Sequence, residues 1–376
     1  MHSRQNNPFF IKLSEQIKSL GGVFNAHLHL DRVYTLDDQY MVSSQHRILQ
    51  NSHISLHKKH SLITSLHEGP AYEPEDFKRR VNLCLDGMVA TNTFRADTMV
   101  DVTADRVGLS ALHMMREIKQ ARASEIDLQL AAYSPLGFKD DEPERWELFK
   151  EGVALADFIG CLPEADDVDD YPDHIGFMEH CRRMLELAKE HGKALHVHTD
   201  QRNEPSEDGT ERLVEAVRQY GAPKSDNGEP MVWAVHMISP STYDEARFDA
   251  LVEGLLECNI GVICCPSAAV GMRQIRPLMT PTYNSIPRVL EMAERGVHIR
   301  LASDNIADIC SPSTTEDLLD EVFVLSAAIR FYDTEILAKL AHGAPLDDAS
   351  RAVIREHLQK NQGETDKLLK KLAARA

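Results

Sequence analysis

Asn25-Ala26-His27-Leu28-His29-Leu30-Asp31 ends a short β-rich run, and the pattern returns as Ala194-Leu195-His196-Val197-His198-Thr199-Asp200-Gln201. Side chains two apart on a strand share a face, so the first stretch aims two imidazoles at one spot. Its other face, Phe24, Ala26, Leu28 and Leu30, reads as an apolar surface packed on helices. Further β-rich runs extend the series to Val23–Leu30, Thr93–Thr103, Ile126–Ser134, Phe158–Leu162, Ala194–Thr199, Val232–Ile238, Gly261–Cys265 and Val297–Ser303. Helical patterns lie between them, among them Leu109–Ala123, Glu179–His191, Glu211–Tyr220, Tyr243–Cys258 and Ile286–Arg295. Apolar strands separated by helices imply parallel pairing with both sheet faces covered. Eight such units predict an α/β fold, the (β/α)8 TIM barrel.

The span from Gly21 to Asn305 exceeds the roughly 250 residues typical of such a barrel. The excess sits in residues 32–92, which read as a long helical insertion after strand 1 at the mouth of the barrel. A helix over Glu316–Phe331 and a helical C-terminal tail follow, ending in the basic stretch Lys367–Arg375, where cations complement the helix dipole. The expected organisation is a barrel over 1–332 and a helical extension over 333–376 packed on it. With few residues before His27 and a helical tail, no β-sandwich domain is expected.

Composition narrows the functions. The 376 residues carry 41 Lys plus Arg against 59 Asp plus Glu, a net charge of −18. That balance argues against a nucleic-acid backbone or an anionic membrane as partner and leaves a small-molecule substrate. No apolar run approaches the roughly 20 residues that span a bilayer. Met1–Lys12, with Gln5, Asn6, Asn7 and Pro8, does not read as a secretory signal. The 7 cysteines are scattered without a CxxC pair, which suits reduced thiols in a cytoplasmic protein. There is no GxGxxG, P-loop or GxSxG motif.

The chemistry lies at the C-terminal ends of the strands, where barrel enzymes place their reactive groups. His27 and His29 end the first strand, His198 the fifth and His236 the sixth, and Asp304 follows the eighth. Imidazoles with one carboxylate suit zinc or iron(II) in a site that keeps a position for water.

This ordering resembles the amidohydrolase superfamily, and within it the cytosine deaminase-like branch. The resemblance extends over Asn25–Arg32, Val100-Asp101-Val102, Ile126-Asp127-Leu128-Gln129, Asp157-Phe158-Ile159-Gly160, His198-Thr199-Asp200-Gln201 and Gly296–Asn305, roughly residues 20 to 330. It implies that His27, His29, His198 and Asp304 form the metal site, with Asp304 also the base for the attacking water. It implies that His236 steadies the hydroxide or the developing charge, and that Tyr133 and Asn305 line the pocket. The fourth strand offers Pro163 and Glu164 rather than a lysine for a carbamate bridge, which favours one metal ion, zinc first, iron(II) or manganese next. His196, two residues deeper than His198, reads as a barrel-interior residue or one that orients a ligand.

The chain departs from the deaminase pattern at two places. Gln201 stands where the deaminases carry the glutamate that shuttles a proton to the ring nitrogen and the leaving ammonia, and an amide cannot do that. Asp200 or His236 then does the shuttling, or the reaction differs. Pro135 falls near the family's base-recognising glutamine, which argues against cytosine itself. The expected function is a metal-dependent hydrolase of C–N bonds that deaminates a small nitrogen heterocycle, with Asp304, His236 and Gln201 as the catalytic set. The alternatives are a cyclic amide or amide hydrolase, or a metal- and ligand-binding barrel without turnover. A closed homo-oligomer is common among such enzymes. His53, His57 and His60 share one helical face, with His46 or His67 near, and read as an ordinary helix rather than a second metal site; His60 with Lys59 is the pair nearest a substrate. The acidic run Glu164–Asp173 reads as a solvated loop at the mouth.

Overall fold

The computed structural model describes residues 4–40, 59, 62–272 and 285–374. Its eight strands form one parallel sheet in sequence order: β1 Val23–Leu28, β2 Thr93–Asp101, β3 Asp127–Tyr133, β4 Phe158–Cys161, β5 Leu195–Thr199, β6 Val232–His236, β7 Ile260–Cys264 and β8 Ile299–Leu301. The α/β barrel read from the sequence is therefore the observed architecture. The strands run shorter than the β-rich runs because the chain leaves the ladder at the mouth: His236 and Asp304 take φ of 78° and 62°. Such left-handed backbone cannot continue a strand.

The barrel closes where β8 returns to β1. Asp304 N–H donates to His27 O at 3.0 Å, and His29 N–H donates to Asp304 O at 3.3 Å. Below this seam the buried Asn25 side chain does the bridging. Its Oδ1 accepts from Ser303 N–H at 3.0 Å, and its Nδ2 donates to Ser303 Oγ at 2.9 Å.

The apolar face read in β1 is only half as expected. Leu28 and Leu30 belong to the large core between sheet and helices, but Phe24 and Ala26 pack with Trp233, Val235, Ile263 and Ala302 in a separate cluster. The register of β1 against β2 shifts between Asn25 and Leu28. A bulge sends consecutive residues to one side, and strict alternation fails.

The helices fall within a few residues of their expected bounds, for example Ser110–Arg122, Phe177–His191, Gly209–Tyr220, Glu245–Glu257, Val289–Arg295 and Leu318–Ile329. Helices Pro8–Leu20 and Pro143–Leu155 were not read from the sequence. Of the insertion after β1, helices Ile63–Glu68 and Pro74–Ala90 are described, whereas His46, His53, His57 and His60 lie outside the described residues. Helix Thr334–His342 packs on helix Pro8–Leu20 at the N-terminal end of the barrel. There His342 Nδ1 meets Gly22 O at 2.9 Å, and His298 Nε2 meets Gly343 O at 2.9 Å. Helix Asp348–Ala373 buries only Ser350 and Ile354. Among the described residues no helix is long and apolar enough to cross a membrane.

Asn25→Ala should lower the unfolding free energy by about 2 kcal/mol, because it leaves the Ser303 amide buried without an acceptor. Ser303→Ala keeps the backbone bond and should cost less. Urea midpoints at matched slope compare the two, and equal midpoints would refute the seam's dependence on Asn25.

Candidate metal centre

The seam and the bulge together put four side chains at one point. His27 and His29 leave the end of β1, His198 leaves β5, and Asp304 leaves the turn after β8. Their ligand atoms lie within 4.8 Å of one another, and all four residues are buried. His27 Nε2 lies 3.1 Å from His198 Nε2. Asp304 Oδ1 lies 3.8 Å from His27 Nε2 and 3.4 Å from His29 Nε2. Ligands about 2.1 Å from a tetrahedral zinc are separated by about 3.4 Å, so these spacings suit one ion.

The protonation states suit it as well. Burial first, then the neighbouring rings of His198 and His29, hold the His27 imidazole well below its ordinary pKa, so it is neutral and its lone pair available. His198 Nδ1 lies 2.8 Å from Cys161 O and donates to it, which leaves Nε2 as the lone-pair nitrogen. His27 Nδ1 is buried and has no hydrogen-bond partner among the described residues. Burial holds the Asp304 carboxyl above its ordinary pKa, against the opposing pull of His236 and Arg32. One contact runs against the set: Arg32 donates to His29 Nδ1, which favours a proton on the nitrogen that faces Asp304.

Around the four stand the other expected residues. His236 at the end of β6 sets its ring 5.4 Å from that of His198 and 6.2 Å from that of His27. Tyr133 lies 5.3 Å, ring to ring, from both His29 and His198. Gly160 on β4 makes room for it, since a Cβ there would collide with Met99 Sδ and sit 3.0 Å from the Tyr133 ring. Asn305 Nδ2 donates to Asp308 Oδ2 at 2.5 Å. His196 is a barrel-interior residue, 4.5 Å from the Phe158 ring and 5.8 Å from that of His27. A small hollow lies beside Arg32, lined also by Thr35, Leu62, Leu66, Asp308 and Cys310. Lys59 reaches its rim, donating to Cys310 O at 3.3 Å.

Asp200 is turned away from the proton-shuttling role considered for it. Its Oδ1 accepts from Gly209 N–H at 2.7 Å and its Oδ2 from Thr210 N–H at 3.0 Å, satisfying the first turn of helix Gly209–Tyr220. Gln201 instead donates its amide to Glu164 Oε2 at 2.8 Å. His67, considered beside a second metal site, belongs to a buried ion network. It bridges Asp101 at 3.0 Å and Asp105 at 2.7 Å, and Tyr72 OH reaches Asp101 and Asp31, each at 3.2 Å. Sequence reading missed this network because its members lie on separate segments that no spacing rule joins.

The eight-stranded barrel carries a histidine–carboxylate cluster at its C-terminal mouth, and the solved structures it matches share the fold. No family model matches the chain. It is 28% identical over 283 residues to an uncharacterized protein of Haemophilus influenzae, covering 74% of this chain and 93% of that one. It is 25% identical over 280 residues to a pterin deaminase of Rhizobium rhizogenes, covering 74% of this chain but only 58% of that protein. The fold matches 5-methylcytosine deaminase of Klebsiella pneumoniae liganded with 5-fluorocytosine at TM-score 0.69 and 22% identity, over 89% of this chain and 82% of that one. N-isopropylammelide isopropylaminohydrolase of Burkholderia multivorans matches at TM-score 0.62 and 19% identity, over 88% and 74%. Atrazine chlorohydrolase of Arthrobacter aurescens complexed with zinc matches at TM-score 0.51 and 14% identity, over 86% and 71%. In fold the chain thus resembles a 5-methylcytosine deaminase and these hydrolases, and its one relative here with a named activity is a pterin deaminase.

The His67 network sets a pH dependence. Burial would lower His67, but its hydrogen bonds to Asp101 and Asp105 overcome this and push it from 6.5 up to about 9. Burial would raise Asp105, but the His67 hydrogen bond takes it from 3.8 down to about 2. A raised histidine stabilises below its unfolded pKa and loses this as pH rises through the folded one. A depressed carboxylate stabilises above its unfolded pKa and loses this as pH falls. The stability lost in His67→Gln should therefore be greatest between about pH 4 and 6.5 and shrink toward pH 9. Denaturation of both proteins across that range measures it; a loss independent of pH would refute the ion pairing.

Proposed function

We propose that this protein is a metal-dependent hydrolase that deaminates a small nitrogen heterocycle, replacing a C–NH2 group by C=O and releasing ammonia. The convergence of His27, His29, His198 and Asp304 at the mouth of the barrel carries the reading. These four residues would hold one divalent ion, zinc by the donor set, with iron(II) or manganese as the other candidates. Such an ion supplies a water of lowered pKa and an electrophilic site near neutral pH.

The chain's own residues then have separate tasks. Asp304 takes a proton from the attacking water and returns one to the leaving nitrogen. His236, packed beside His198, faces the developing negative charge and stabilises it. Tyr133 walls the pocket with its ring, and Asn305 sits at the rim with its amide nitrogen tied to Asp308. Gln201 contacts the heterocycle without supplying a proton. The named relative, a pterin deaminase, supports an amino-substituted heterocycle. The acidic balance and seven free cysteines support a cytoplasmic protein with no nucleic-acid or membrane partner. Gln201 is the observation that favours a second reading, hydrolysis of a cyclic amide without deamination.

Metal analysis of protein purified without chelator should give about one zinc or iron per chain, lost in His27→Ala. Metal-loaded protein should release ammonia from one or more amino-heterocycles, with pterins tried first, and Asp304→Asn should lower the rate by about a hundredfold or more. Ring-opened product without ammonia would select the amide reading. Protein that refuses added zinc would sink both.

A further inference from the structure

Position 201 is an amide where the deaminase pattern has a carboxyl, and the fold sets a carboxyl beside it. Glu164 lies in the turn Pro163–Asp166 that follows β4. Its Oε2 accepts from Gln201 Nε2 at 2.8 Å, and its Oε1 accepts from Asp200 N–H at 2.7 Å. The turn is tied to the metal cluster. Cys161 O, just before it, accepts from His198 Nδ1, and Leu162 and Ala165 pack with Tyr133. An amide is planar, so a nitrogen held toward Glu164 turns the oxygen the opposite way. Among the described residues nothing donates to Gln201 Oε1, although Gln201 is only 5% exposed.

We propose that Glu164 is a positioning residue: it holds Gln201 with its carbonyl oxygen presented to the ligand, so that the site selects a heterocycle offering N–H or NH2 at that point. The ligand class rests on the function proposed above; the orientation of Gln201 does not.

The device depends on the charge of Glu164. An ionised carboxylate only accepts, whereas a protonated one donates a hydrogen and releases the amide to turn. Several charged groups face it. Asp200 lies behind it, with both oxygens on helix Gly209–Tyr220. Glu207 accepts from Arg202 N–H at 2.8 Å, and Arg202 pairs with Asp170. On the turn itself Asp166 pairs with His174 and His180, and just past it Asp167 pairs with Arg212. Burial and then the Asp200 carboxyl bring Glu164 up to about 7, and burial and then Glu164 bring Glu207 up to about 9. Glu164 therefore changes charge near neutrality.

The test follows the side-chain amide of Gln201 in metal-loaded protein labelled with 15N-glutamine, the signal being assigned by its loss in Gln201→Leu. In the wild type this NH2 pair should shift as pH crosses neutrality. It should be flat with pH in Glu164→Gln and titrate again in Glu164→Asp. Glu164→Gln should also weaken binding of pterin or 5-fluorocytosine by about tenfold, and ring N-methylated counterparts by much less. An amide pair that ignores both pH and the loss of the Glu164 carboxyl overturns the proposal. A pair that titrates in a protein that binds neither probe and releases no ammonia supports the positioning and overturns the function proposed above.

Discussion

The structure depends on one backbone exchange, the bonds that tie residue 304 to His27 and His29. A parallel barrel must bring its last strand back to its first, and here β8 is only three residues long. The closing ladder is therefore continued by the very residues that carry the imidazoles and the carboxylate. Asp304 reaches His29 because its own amide is spent on His27. The metal cluster is thus part of the seam itself. Anything that loosens the seam, such as removal of Asn25, also moves ligands by the fraction of an ångström that coordination does not tolerate.

The mouth of the barrel stores strain at the ends of its strands. Asp200, His236 and Asp304 follow or end three different strands, and all take φ between 58° and 78°. Non-glycine residues in this region cost about 1–3 kcal/mol each and persist only where the surroundings over-determine them. In this barrel they turn the chain sharply enough to lay polar side chains across the mouth. Asp200 uses its turn to hold the next helix, whereas His236 and Asp304 use theirs to face the cluster. The same local geometry therefore supports a helix in one loop and builds the cluster and its surroundings in two.

Much of this was legible in the sequence because the signals were local. Strand and helix alternation gives the barrel, and histidines at strand ends give most of the cluster at its mouth. The misses have physical causes. A bulge in β1 broke the two-residue alternation, so Phe24 and Ala26 entered the barrel although the pattern put them outside. The partners of His67 and Gln201 come from segments distant in sequence, and no spacing rule joins Glu164 to Gln201 or Asp105 to His67. Helix Pro143–Leu155 escaped because Phe149, Gly152 and Val153 supply little apolar periodicity.

The Gln201–Glu164 pair shows how a motif can keep its place and change its chemistry. With a glutamate at 201, two carboxylates would face each other across a hydrogen-bond distance, beside Asp200 and Glu207. Like charges that close cannot all ionise, and one would hold a proton tightly. An amide at 201 removes that conflict, satisfies the Glu164 carboxylate and fixes its own orientation in one step. The cost is a proton donor at position 201. On the function proposed above, the acid–base work would fall on Asp304, the carboxyl of the cluster itself, and the loop after β5 would contribute recognition instead of proton transfer.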